Sequence, residues 1–257
     1  MLASRGHPFG SEDELAAQDN QAQAGPVRGY GQFCPVARGA EIFAERWTPL
    51  IVRELLCGPR RFTQLLQGLP NIPRALLTQR LISLELQGVL ERQVCASGRG
   101  HSYQLTTAGE ELRPVIEALG SWAYKTVVAD LREEHLDPTL LMWFLSRRVI
   151  IENLPGHRVV LFIHFRREPR HQYWLVLERP EVDLCLIDPG FEVNITIDAD
   201  LKALTQVYLG HLDLSAAMSQ GSIELTGPAE EQRLLPSWLG ISPFAPAGRL
   251  RTTKPIN

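Results

Sequence analysis

Apolar residues recur at helical spacing through most of the first half of the chain and alternate with polar ones through much of the second. From Pro35 to Gly88 the period is helical. Thr48-Pro49 reads as an N-cap followed by proline in the first turn. Leu50, Ile51, Val52, Leu55 and Leu56 then carry a helix to a stop at Gly58-Pro59. Phe62, Leu65, Leu66 and Leu69 fall at i, i+3, i+4 and i+7, a single apolar stripe. After a break from Gly68 to Pro73, Leu77, Leu81 and Leu84 mark the inner face of a third helix. Arg74, Ala75, Thr78, Gln79 and Ile82 lie toward its other side. Beyond Gly88 the period becomes two. Val89–Val94 and Ser102–Thr106 predict a hairpin around the turn-rich tip Ala96–His101. Thr107-Ala108-Gly109-Glu110 fits a capping box and opens a helix with Leu112, Val115, Ile116, Leu119, Trp122 and Ala123 on one stripe.

The charged stretch Arg132–Pro138 is the best linker candidate. A bulky apolar helix follows (Leu140, Leu141, Trp143, Phe144, Leu145). Strands are expected at Arg158–Arg166, Gln172–Glu178, Val182–Ile187, Glu192–Ile197 and Ser222–Thr226, and helices at Ala199–Leu209, Leu214–Gln220 and Pro228–Leu235. Strands in series followed by helices indicate an α+β unit. Residues 1–29, rich in Gly, Ala, Gln and Ser, read as a flexible tail, and 246–257 as another. The expected plan is therefore 30–130 for the helical part with its hairpin and 138–245 for the α+β part.

Composition fits a globular chain: 257 residues, 44% apolar and 21% charged. No apolar run approaches the roughly 20 residues of a membrane span. The N-terminus lacks the apolar core of a secretory signal, so a cytoplasmic, membrane-free protein is expected. Cys34, Cys57, Cys95 and Cys185 are too scattered for a zinc site or a disulfide framework. Net charge is −3, but the distribution is uneven: residues 53–107 hold seven Arg against three Glu. A basic segment joined to an acidic remainder suggests two units with different partners, or else chance scatter. No H-E-x-x-H, P-loop, G-x-S-x-G or G-x-G-x-x-G motif occurs, which argues against an enzyme and against a metal or other cofactor.

Helix–turn–helix followed by a hairpin is a winged-helix arrangement. The major groove of DNA, about 12 Å wide, admits one helix. Phe62, Leu65 and Leu66 would anchor the third helix through Leu77 and Leu81, leaving Arg74, Ala75, Thr78 and Gln79 to face bases. Arg60 and Arg61 at the start of the anchoring helix would hold the phosphate backbone, as would Arg99 and His101 at the hairpin tip. The same pattern also suits an ordinary helical packing unit with a surface hairpin.

The motifs are more specific. Cys34-Pro35-Val36, Arg46-Trp47-Thr48-Pro49-Leu50-Ile51, Gly58-Pro59-Arg60-Arg61-Phe62, Leu77-Thr78-Gln79-Arg80-Leu81 and Tyr103-Gln104-Leu105-Thr106, in that order, resemble the HxlR-type winged-helix transcriptional regulators. The resemblance covers about 30–125. It implies a homodimeric regulator of double-stranded DNA, with its recognition helix at about 73–87 and its wing at about 89–106. Glu45 stands where the family usually has glycine, and Pro73-Arg74 where it commonly has Ser-Pro.

Cys34, at the N-terminus of a helix, is a candidate for a low-pKa thiol, and the resemblance implies redox sensing there; a plain buried side chain is the alternative. In the second half, Asp198-Ala199-Asp200-Leu201, Tyr208-Leu209-Gly210 and Gly221–Gly227 are similar to sterol-carrier-protein-like domains, which implies an apolar tunnel. Trp143, Phe144, Phe162, Trp174, Tyr208, Met218 and Trp238 are candidates to line it around a small apolar effector, or they are simply core. The expected fold is thus α+β: a winged helix-turn-helix followed by a sterol-carrier-like domain. The expected function is sequence-specific DNA binding. A lipid carrier that uses the winged helix as an interaction scaffold is the rival.

Overall fold

The computed structural model describes residues 29–94, 100–127 and 131–245. These form two compact units that meet in sequence at Arg46 and Trp47. The first holds one helix, α1 (Pro35–Phe43), with Cys34 at its N-cap position and proline in its first turn. Glu41 on α1 accepts the Tyr30 backbone N–H at 2.8 Å and the Arg38 guanidinium at 2.6 Å.

The second unit opens with α2 (Thr48–Leu55), the two-residue strand β1 (Arg60–Arg61), α3 (Phe62–Gly68) and α4 (Arg74–Leu86). Strands β2 (Leu90–Val94) and β3 (His101–Leu105) follow, then α5 (Thr107–Glu110) and α6 (Arg113–Thr126). Ile51, Val52, Leu55, Leu65, Leu77, Leu81 and Leu84 form the buried centre of this part. The hairpin register, Leu90↔Leu105 through Val94↔His101, keeps Leu90 and Leu105 inward at its base.

Three local expectations change. The helix expected to be capped by Thr48 already includes it. Trp47 precedes it in the left-handed region (φ 78°), and the Thr48 side chain is buried rather than turned to solvent. The capping threonine further on is Thr106, not Thr107: its hydroxyl accepts the Gly109 N–H at 3.2 Å and donates to the Gly88 carbonyl at 2.6 Å. The single helix expected from there is two, because Pro114 has no N–H to continue the ladder from α5 and its ring crowds the Glu110 carbonyl. Arg60 and Arg61 stand, as expected, at the start of the anchoring helix, Arg61 at its N-cap position, and they also form a strand. β1 pairs with β3 (Arg60↔Tyr103, Arg61↔Ser102), giving a sheet of order β1-β3-β2.

After a 3-10 turn (Glu133–His135), α7 (Pro138–Ser146) begins with the Asp137 carboxylate accepting the Leu140 N–H at 2.9 Å. Then come β4 (Val159–Phe165), β5 (Glu168–Glu178), β6 (Glu181–Cys185), β7 (Ile195–Ala199), α8 (Leu201–Leu209), α9 (Leu214–Ser219), β8 (Ile223–Thr226) and α10 (Ala229–Trp238). The sheet order is β6-β5-β4-β7-β8, with β4 and β7 parallel and the other pairs antiparallel. Alternation on β4 sends Val159, Leu161, Ile163 and Phe165 into one core with Leu141, Met142, Ile197 and Trp238. The expected strand from Glu192 begins only at Ile195. Asn194 ends the approach by bonding both backbone groups of Val160, its side chain accepting the Val160 N–H at 2.9 Å. This α+β part packs on the winged helix through α7 against α3.

Candidate nucleic-acid interface

The α3–turn–α4 pair presents the expected surface. Leu65, Leu69 and Ile72 are buried, as are Leu77, Leu81 and Leu84 on the inner face of α4. Arg74, Ala75, Thr78 and Gln79 are all exposed on the opposite side, with Ile82 beside them, and no side chain caps the helix N-terminus at Pro73. Arg74 and Thr78 are one turn apart, as are Ala75 and Gln79, so the four make one face. The Thr78 hydroxyl donates to the Arg74 carbonyl at 3.1 Å. Its proton is spent on the backbone, so the side chain offers a methyl and acceptor lone pairs outward.

The other candidates separate. His101 is exposed at the outer end of β3, and Arg61 is exposed on β1. Arg99, and Cys95 with it, lies outside the described residues. Arg60 is turned inward. Its guanidinium donates to the Cys57 carbonyl at 2.9 Å and the Pro59 carbonyl at 3.0 Å. Burial, and then the positive charge of Arg147, lowers its pKa. An arginine held in this way is spent on its own loop rather than offered to a phosphate.

Arg60 borders a charged cluster that was not singled out in the sequence. Glu54 on α2 is 0% exposed. One carboxylate oxygen accepts Arg147, the residue that follows α7, at 2.5 Å and the indole N–H of Trp143 on α7 at 3.0 Å. The other accepts Arg53 at 2.9 Å, and Arg53 also donates to the Gly68 carbonyl at 3.1 Å. Gly68 ends α3 against this carboxylate, and a Cβ there would collide with Glu54 and stand 2.9 Å from the Trp143 indole nitrogen. The signal was present. Glu54 stands three residues after Ile51, on the stripe that otherwise faces inward.

The seven pocket candidates do not converge. Trp143 points to Glu54. Phe162 packs on Trp174 (ring centroids 5.0 Å apart), on the sheet face opposite the main core. Trp238 is buried in that core, while Met218, expected to face inward, is 37% exposed. Phe144 stacks on Tyr208 (6.0 Å, 9° between planes). A cavity of about 170 Å³ does exist, walled by α7, α8, the segment that leads into α9 and the residues that end and follow α10, and of the seven only Tyr208 lines it. Apart from Asp213 and the glycines its other lining is aliphatic, and the remaining aromatic candidates are used in packing and in the Glu54 cluster.

On α1, the Cys34 thiol pKa is lowered by hydrogen bonds from the backbone N–H groups of Ala37 and then Val36, as a helix N-terminus does. Burial, and then Asp183, raises that of Cys185. On α6, the side chains of Val115, Leu119 and Trp122 form an exposed apolar row. Among the described residues no cluster of His, Cys, Asp or Glu could hold a metal, and no helix is long and apolar enough to cross a membrane.

Residues 42–130 match the family described as HxlR-like helix-turn-helix. The uncharacterized HTH-type transcriptional regulator YvaP of Bacillus subtilis (strain 168) is 34% identical over 112 residues, 43% of this chain and 95% of that protein. The HTH-type transcriptional regulator YodB of the same organism is 34% identical over 93 residues, 35% of this chain and 83% of that protein. The solved structure of reduced YodB from B. subtilis, at 30% identity, covers 39% of this chain and 100% of that one, with a TM-score of 0.34. These relatives are named as transcriptional regulators, not as enzymes.

Proposed function

The chain belongs to the HxlR-like helix-turn-helix family, and on that premise we propose that it is a sequence-specific, homodimeric DNA-binding regulator whose α+β part receives a small apolar signal. The observation that carries the reading is the outer face of α4, four exposed side chains of base-reading type on a helix propped by buried leucines. Arg74 suits guanine, Gln79 adenine, and the Ala75 and Thr78 methyls suit thymine. Arg61, Arg99 and His101 supply sequence-blind phosphate contacts, so affinity falls steeply with salt. The row Val115, Leu119 and Trp122 on α6 is the surface offered to a second copy. A two-fold dimer then reads half-sites a helical turn or a multiple apart. The cytoplasm is where such a regulator meets DNA. The lowered pKa of Cys34 supports a thiolate-based response, and the cavity in the second part supports its ligand role.

Selection of duplexes from a random pool, followed by a salt titration of the selected and a scrambled duplex, tests the reading. A selected site bound at least about 10³-fold more tightly than the scrambled one is the expected result. Weak binding without sequence preference overturns it and favours the carrier alternative.

A further inference from the structure

The cavity in the α+β part has a floor of Leu145 and Leu204, both almost fully buried, and walls that include Val207, Leu212 and Leu239. Asp213 and Pro236 are exposed at its rim. The cavity opens to solvent along that rim, so a guest reaches its aliphatic floor directly. Cavities of about 150 Å³ walled by Leu and Ile stay dry and take up benzene. Here the volume is about 170 Å³, one aromatic ring and little more.

Resting on the reading of this part as a signal receiver, we infer that the cavity binds one uncharged single-ring aromatic molecule and that its occupancy is felt at the helix-turn-helix through Tyr208, Phe144 and Arg53. The ring lies on the aliphatic floor, and a polar substituent points to the rim beside Asp213. Tyr208, a wall of the cavity, is kept in its neutral phenol form by burial and bonds Ser242. It stacks on Phe144, whose ring lies 4.9 Å beneath the Arg53 guanidinium, and Arg53 holds the last carbonyl of α3. A guest that tilts Tyr208 therefore displaces side chains that support the helix before α4. The displacement matters only if the two DNA-affinity states bind the guest unequally.

The test uses the intact chain and phenol. Calorimetry gives one saturable site per chain, and the melting midpoint rises by about 3–5 °C at a tenfold excess over the dissociation constant. Val207→Phe fills the cavity and loses this rise. Leu212→Ala enlarges it and admits 2-naphthol, which the parent chain refuses. If a variant does not fold, the methyl resonances of Leu204 and Leu212 in the parent chain decide, since they shift on phenol addition only if the cavity is the site. Saturating phenol changes affinity for the selected duplex by about fivefold or more. Phe144→Leu retains phenol binding but loses that change. No saturable phenol binding, or binding unaltered by Val207→Phe, overturns the site. Unchanged DNA affinity overturns the coupling. Failure of the ligand-free chain to prefer any duplex would sink the regulator reading and leave the phenol result standing.

Discussion

Arg147, just past the end of α7, donates to the Glu54 carboxylate on α2 across 2.5 Å, a contact between residues 93 positions apart in sequence. Two charges removed from water must satisfy each other, and here they do so with help from Arg53 and Trp143. Removing one partner leaves the other buried without its counter-charge. Glu54→Gln is expected to lower the unfolding free energy by roughly 3 kcal/mol. Urea denaturation measures it, and a double-mutant cycle with Arg147→Met separates the pair from its surroundings. A loss under about 0.5 kcal/mol would show that the cluster is slack.

Gly68→Ala is expected to destabilise by about 1–3 kcal/mol, because its methyl enters the space of the Glu54 carboxylate and the Trp143 indole. Glu54→Ala in the same chain makes room for it. The double variant should lose less than the two single changes added together, as read from thermal melts.

Base-facing and phosphate-facing changes differ in kind. Arg74→Ala or Gln79→Ala is expected to cost about 1–3 kcal/mol on the preferred duplex and to relax the preference at one position. Arg99→Ala weakens all duplexes alike and reduces the salt slope by about one. Competition binding with singly altered duplexes distinguishes them. Arg60→Ala should cost stability rather than specificity, since its guanidinium serves its own loop.

Cys34 and Cys185 shift in opposite directions. The thiolate is the reactive species, so a lowered pKa moves the rise in reactivity to lower pH and a raised one moves it higher. Alkylation followed by peptide mass mapping should therefore label Cys34 first as pH is increased. Labelling of Cys185 ahead of it would contradict the helix-terminus account.

Leu119→Glu with Trp122→Glu places charge in the exposed row on α6. Sedimentation should then show monomers, with affinity for a two-half-site duplex falling at least about tenfold while the melting curve hardly moves. Dimers surviving the double change would put the contact elsewhere.

Periodicity exposed the α3–α4 pair and the hairpin because one face of each is buried, and burial is what a period of 3.6 or 2 records. The same logic marked Arg74, Ala75, Thr78 and Gln79 through their neighbours Leu77 and Leu81. It missed the role of Arg60, since a two-residue strand has no period and its partner, Tyr103, is distant in sequence. The pocket was misjudged for a related reason. Aromatic content shows that side chains will be buried but not against what, and Trp143 went to a carboxylate 89 positions away. The divided helix at Pro114 was legible in principle, the proline lying where a continuous helix would need an N–H.

The pairing of Arg60 and Arg61 with Tyr103 and Ser102 stitches the hairpin to the loop that leads into α3. The described strands of the hairpin are therefore tied to the start of α3. In the proposed complex, engagement of the duplex at either place would present the other in a set orientation, so tolerance for stretched or compressed half-sites is expected to be small.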